Sequence, residues 1–178
     1  APDLLYAGSE YGLFVSFDAG KQWQRFPKQL PITPIADLEA QHADVRSLAA
    51  PQLLPWLHKA ESTHALSAAA KQRLAGFDGT MAADSPAPLI FWAWQRQLAR
   101  GVFSDDVGAQ MWDKGLATRS FQDALEGVLA RNDASWCDDR ATPAAETCAQ
   151  QSSAALTRAL DELQQRFGAD VSKWQWGN

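Results

Sequence analysis

The chain is poor in the residues from which reactive centres are most often assembled. It has three histidines, His42, His58 and His64, and two cysteines, Cys137 and Cys148. The histidines read as surface or helix-end residues, with no metal and no cofactor expected. There is no G-x-S-x-G elbow to present a serine nucleophile. Positive charge is not in excess: the net charge is −5, which argues for solubility and against a nucleic-acid surface. No apolar run approaches the ~20 residues needed to span a bilayer. Ala1-Pro2-Asp3 has neither the basic start nor the apolar stretch of a secretory signal. The chain is therefore expected to have lost such a signal or to be a piece of something longer, and the abrupt Trp174-Gln175-Trp176-Gly177-Asn178 ending reads as a cut.

What is present is ordinary globular material. Hydrophobic residues make up 46% and charged residues 21% of 178 residues, enough for one sizeable core or one core with a small appendage. The eight tryptophans are many for this length, but tryptophan serves cores and interfaces alike.

The chain changes character near residue 40. Before it, Leu4-Leu5-Tyr6-Ala7, Leu13-Phe14-Val15-Ser16-Phe17 and Gln22-Trp23-Gln24-Arg25-Phe26 are strand-like runs. Gly8 to Gly12 and Asp18 to Lys21 separate them with turn chemistry. Asp18 is suited to accept bonds from the turn backbone, Gly20 to adopt positive φ, and Trp23 to bury its ring against the hairpin. One hairpin cannot bury its apolar face alone, so it is expected to pack on the helices that follow, to pair with another chain, or to be poorly ordered.

From Asp44 the apolar period becomes helical. Val45, Leu48 and Ala49, then Leu53, Leu54 and Leu57, form stripes that Pro51 and Pro55 interrupt, predicting a kinked or two-piece helix. A second helix is expected over 64–75 and ends at Gly76 and Gly79. The most apolar helix runs from Leu89 to Arg100, with Ile90, Phe91, Trp92, Trp94 and Leu98. It is expected at the centre of the core and to stop at Gly101. Ser104-Asp105-Asp106 reads as a helix start, Ser120 with Asp123 as a capping box, and Thr142-Pro143 as the opening of a long helix that Gly168 ends.

Ten residues separate Cys137 from Cys148, a spacing that fits no zinc or redox motif. A disulfide is preferred over two free thiols. Such a short loop would contribute roughly 3 kcal/mol and would point to an oxidising compartment. Asp138-Asp139 lacks the oxygen-rich alternation of a calcium loop and reads as a solvated turn. Trp92, Trp94, Trp112, Trp174 and Trp176 are core residues by default, or lining for an apolar pocket.

Two resemblances follow from these residues. Ser16, Asp18, Gly20 and Trp23 fit S-x-D-x-G-x-x-W, and residues 4–38 resemble one Asp-box repeat of the sortilin-like β-propellers. The resemblance implies a folding element on an outer rim. Residues 41–178 resemble the helical part of the β-subunit of the penicillin amidase family of N-terminal nucleophile hydrolases, which includes penicillin, cephalosporin and acyl-homoserine-lactone acylases. The carrying pieces are Asp44-Val45-Arg46-Ser47, Leu54-Pro55, Phe77-Asp78-Gly79, Ser85-Pro86-Ala87-Pro88-Leu89-Ile90-Phe91, Trp136-Cys137-Asp138-Asp139, Glu146-Thr147-Cys148 and Trp174-Gln175-Trp176-Gly177. The resemblance implies a parent hydrolase of linear amides with an αββα core, whose nucleophile is the serine at the β-subunit N-terminus. That group precedes this stretch in family order, and residue 1 here is alanine, so no catalytic residue is assigned and the chain alone is expected to be inactive. Trp92 and Trp94 are the candidates for lining an acyl pocket. The partner implied is the remainder of the amidase, its α-subunit and sheet core. The periplasmic location of many members agrees with a disulfide and a periplasmic or secreted protein. The expected fold is mainly α, with five or six helices and a short N-terminal antiparallel β-meander, divided as 1–40 and 41–178. A non-catalytic binding or assembly module docking through the meander, and a piece of an Asp-box propeller protein, are the alternatives. The join between the halves is left open between natural fusion, rearranged gene and artificial join.

Overall fold

Short apolar runs broken by glycine build the first part of the chain. In the computed structural model, which describes residues 4–9, 12–25, 45–112 and 121–177, they form β1 (Leu5–Ser9), β2 (Gly12–Ser16) and β3 (Gln24–Arg25). The three strands make an antiparallel meander in the order β1-β2-β3, with Leu5 opposite Ser16 and Val15 opposite Gln24. The chain divides into two compact units, Ala1–Val45 and Arg46–Asn178. The meander lies in the first, and the helices fill the second.

Helix α1 (Ala50–Lys59) starts at Ala50, with Pro51 in its first turn, and not at Asp44. Proline is accommodated in a first turn because its missing N–H would have no intrahelical partner there. The residues before it are pinned elsewhere: Arg46 bridges Thr80, and the Ser47 N–H donates to the Gly79 carbonyl at 2.8 Å. Leu48, expected on an inner stripe, is 87% exposed as a result. Gly79 has φ +97°, and a β-carbon there would sit 2.5 Å from that of Ala50, so this crossing requires glycine. Helix α2 (Ser67–Leu74) is shorter than the expected 64–75 and buries Ala70 and Leu74.

Helix α3 (Pro86–Val107) is the central element, as its apolar content implied. Ser85 caps it by accepting from the Ala87 N–H. Gly101 does not end it. A β-carbon at Gly101 would meet Gln151 Oε1 at 2.6 Å and Arg158 Nη2 at 2.8 Å, so the glycine serves close packing. Burial of Val102 and Phe103 just beyond outweighs the ~1 kcal/mol that a mid-helix glycine costs. Ser104-Asp105-Asp106 is accordingly the last turn of α3 and not the start of a new helix.

A helical turn at Ala109–Met111 leads on to α4 (Gln122–Arg131), α5 (Ala134–Cys137) and α6 (Cys148–Phe167). Ser120 of the expected capping box lies outside the described residues. The last long helix begins at Cys148, not Pro143, because Thr147 and Gln150 form a reciprocal capping box at that point. Gly168, with φ +82°, ends it as expected. The core lies mainly between α3 and α6, where Ile90, Trp94 and Leu98 meet Leu156, Leu160 and Leu163. The fold is mainly α with a short antiparallel meander.

Candidate functional site

Three places collect the residues that the sequence singled out. The first is the turn between β2 and β3. The Ser16 hydroxyl donates to Asp18 Oδ1 at 2.8 Å and accepts from the Gly20 N–H at 2.8 Å. Asp18 Oδ1 also accepts from the Gln22 N–H at 2.9 Å. The Gln22 N–H, then the Ser16 hydroxyl, favour the charged carboxylate and hold Asp18 below the usual carboxylate range. Gly20 takes φ +90°, as its place in the motif requires. Trp23 corrects the expectation of burial: its indole N–H donates to the Gly20 carbonyl at 3.0 Å, yet the residue remains 43% exposed. The ring lies over the turn on one side, and among the described residues a strand pair this short closes nothing over the other.

The second place is the disulfide. Cys137 and Cys148 are bonded, with Cα atoms 4.9 Å apart, and both are buried. The loop between them is tied internally. The Asp139 N–H donates to Glu146 Oε2 at 3.1 Å, the Glu146 N–H to Asp138 Oδ1 at 3.2 Å, and the Thr142 hydroxyl to Glu146 Oε1 at 2.6 Å. The Thr142 hydroxyl, with the Asp139 N–H, holds Glu146 below its ordinary value against the opposing effect of desolvation. With the Ala141 N–H donating to Asp139 Oδ1 at 2.9 Å, the Asp138 and Asp139 carboxylates are both engaged with backbone donors of their own loop. Among the described residues, no group of three or more His, Cys, Asp and Glu is placed to hold a metal ion.

The third place is aromatic. Trp92 and Trp94 point different ways from α3, as the 200° between them on a helix demands. Trp94 is closed off from solvent, and its indole N–H donates to the Ser152 carbonyl of α6 at 3.1 Å. Trp92 is 40% exposed. Its ring meets Trp176 edge-on at 5.8 Å, and the Arg96 guanidinium lies 5.2 Å from its centroid. Arg96 is itself paired with Glu162 of α6. The segment bearing Trp176 is fastened by the Trp176 N–H to the Ser85 carbonyl and the Gly177 N–H to the Ala83 carbonyl. Trp112 and Trp174 are buried. Arg96 had no signal of its own in the sequence beyond lying one helical turn after Trp92.

The histidines split. His58 is exposed, as expected. His64 is nearly closed from solvent: its Nδ1 accepts from the Leu66 N–H at 3.1 Å, and its Nε2 lies 3.3 Å from Asp161 Oδ1. With both nitrogens engaged, it has no lone pair to offer a nucleophile. His42 lies outside the described residues.

Comparison with known proteins agrees with the helical reading. The chain is 30% identical over 113 residues to the acyl-homoserine lactone acylase QuiP of Pseudomonas aeruginosa, covering 61% of this chain and 13% of that protein. It is 32% identical over 110 residues to the enzyme of the same name from Pseudomonas putida, covering 59% and 14%. A Pseudomonas fluorescens counterpart is 27% identical over 131 residues, covering 71% and 16%. The chain thus spans about one seventh of the length of these relatives. No solved structure gave a significant match. The penicillin amidase profile matches residues 19–178, reaching back past residue 41 into the Ser16–Trp23 turn, and on that match the chain belongs to the penicillin amidase family.

Proposed function

We propose that the chain is the helical section of an amidohydrolase of linear amides, acyl-homoserine lactones among them, and that it supplies framework and one wall of an acyl pocket but not the nucleophile. Its partner in this reading is the remainder of the amidase, and its compartment is periplasmic or secreted, in keeping with the disulfide. The observation that carries the pocket wall is Trp92: on a helix whose Leu89, Ile90, Phe91, Ala93 and Trp94 are buried, it alone in that run presents a large part of its ring to solvent. A rigid aromatic beside Trp176 offers an apolar surface for an alkyl chain. Trp94, sealed in the core, supports that wall from behind. The names of the relatives suggest the substrate class, and the engagement of both His64 nitrogens supports a non-catalytic role.

The purified chain, given a long-chain acyl-homoserine lactone or a penicillin, should show no turnover above a blank; turnover would end the framework-only reading. Titration with the same lactone should quench tryptophan fluorescence, and Trp92→Ala should abolish the change. Unaltered quenching in that variant would remove Trp92 from the pocket.

A second reading keeps a specific observation in its favour. In the meander, Leu5, Tyr6, Phe17 and Trp23 are all exposed, as a docking element of a binding or assembly module would require. In that reading, Phe17→Ser would abolish an association that Trp92→Ala leaves intact.

A further inference from the structure

The last turn of α3 is electrostatically misplaced. Asp105 and Asp106 sit at the negative end of the helix dipole, and the turn has no basic residue of its own. Compensation comes from the disulfide-closed loop. The Arg140 guanidinium pairs with Asp106 at 2.8 Å, and the Arg140 N–H donates to Asp105 Oδ2 at 3.0 Å. Arg140 lies three residues past Cys137, within a loop whose two ends the bridge holds 4.9 Å apart at Cα. Gly101, the lowest-propensity position in α3 beyond its proline-containing first turn, marks where the helix would stop on sequence grounds.

We propose that Cys137–Cys148 is a redox-sensitive latch that decides whether α3 ends at Val107 or near Gly101. With the bridge closed, Arg140 is delivered to the two aspartates and the helix runs to Val107. A dithiol opens the bridge: the S–S bond breaks, Cys137 and Cys148 each leave as a thiol, and the dithiol becomes a disulfide. The loop then gains conformational freedom, and holding Arg140 on α3 costs more entropy. Two carboxylates are left at the wrong end of a helix with a glycine one turn behind them, and residues 101–107 fray. Fraying uncovers Phe103, which stacks on Phe121 at 5.0 Å and meets Trp136 edge-on at 5.6 Å. Both sulfurs are buried, so the single-turn helix α5 must open before a reductant reaches them. The latch therefore answers to sustained reducing conditions and not to a brief pulse. It stands whether or not the chain contributes to an acyl pocket.

Hydrogen exchange on the full 178-residue chain tests it. Dithiothreitol reduction should raise exchange of the 101–107 amides by about tenfold or more, as for a helix end released to local opening. That rise should exceed by about tenfold any common rise at residues 50–59 and 152–163, which a lower global stability would spread evenly over the helices. Retained protection over 101–107 in the reduced chain would overturn the latch, and so would even loss across every helix, which would make the bridge a support of the whole fold. Arg140→Ala in the oxidised chain separates the ion pair from the covalent bond. It should raise exchange in the same segment by roughly threefold to tenfold, the range for losing an ordinary net hydrogen bond, since the Arg140 side chain is largely exposed, with the bridge intact by mass. No change there would show that Arg140 does not transmit the bridge to α3.

Discussion

The meander and the helical body solve the same problem with opposite means. The turn from Ser16 to Trp23 is held by bonds among residues two to four apart, Ser16 to Asp18, Gly20 to Ser16 and Gln22 to Asp18. The helical body is held by partners far apart in the chain: Trp94 reaches Ser152, Ser62 reaches Thr157, and Arg96 reaches Glu162. A local device needs little buried area and leaves its apolar side chains exposed, as at Phe17 and Trp23. A long-range device must bury area to repay the loop entropy of bringing its parts together.

The contrast can be broken most sharply at Trp94. Trp94→Ala should cost ~3–5 kcal/mol of helical-body stability, the range for truncating a large buried aromatic, read as a shift of the urea midpoint. A loss under ~1 kcal/mol would mean that α3 is not the centre. Next comes the covalent tie. Cys137→Ser with Cys148→Ser should cost roughly 3 kcal/mol in the chain-entropy account, measured by denaturant unfolding against the oxidised parent.

The local device calls for a different readout. Asp18→Ala should release the Gln22 N–H and loosen the meander, shown by faster exchange of amides 16–24, with the urea midpoint of the helices unmoved. A shift of that midpoint would mean that the two stabilities are linked. Acid should act in the same direction. Asp18 and Glu146 both titrate below their ordinary values when folded, so their contribution is complete above the unfolded carboxylate range and is lost as pH falls through the lowered folded values. Amides 22 and 139 should then be the ones that gain exchange as their acceptors protonate. Ion-pair loss elsewhere is expected to be slight, since most pairs are partly exposed. The smallest effect belongs to Leu48→Ser, within about 0.5 kcal/mol, because the leucine lies on the surface. A larger loss would show that something covers it.

These expectations also mark how far the sequence could be read. The bonds that Asp18 accepts from the turn backbone and the positive φ of Gly20 were legible, because those partners lie within a few residues, but the half-open Trp23 ring was not. The pairing of the cysteines was legible because only two are present. The starts of α1 and α6 and both ends of α3 were not. Gly101 and Pro143 carry real local preferences, but burial of Val102 and Phe103 and the Thr147–Gln150 cap override them. Of the two candidate pocket residues, sequence could say only that Trp92 and Trp94 face apart. Which one faces out depends on where α6 and the Trp176 segment lie.

By itself, then, the sequence determined the class of fold, the backbone bonds of the Asp18 turn, the disulfide pair and the resemblance to the penicillin amidase family, all of which depend on composition and short-range spacing. Tertiary structure alone decided that α3 runs through a glycine to two misplaced aspartates, that Arg140 comes back to meet them, that His64 is engaged at both nitrogens, and that Trp23 stays half open. Val102 and Phe103 decide the first by burial, Asp105 and Asp106 draw in Arg140 across more than 30 residues, and Asp161 reaches His64 Nε2 from far along the chain, while for Trp23 nothing among the described residues closes over its outer face; no local preference reports such neighbours.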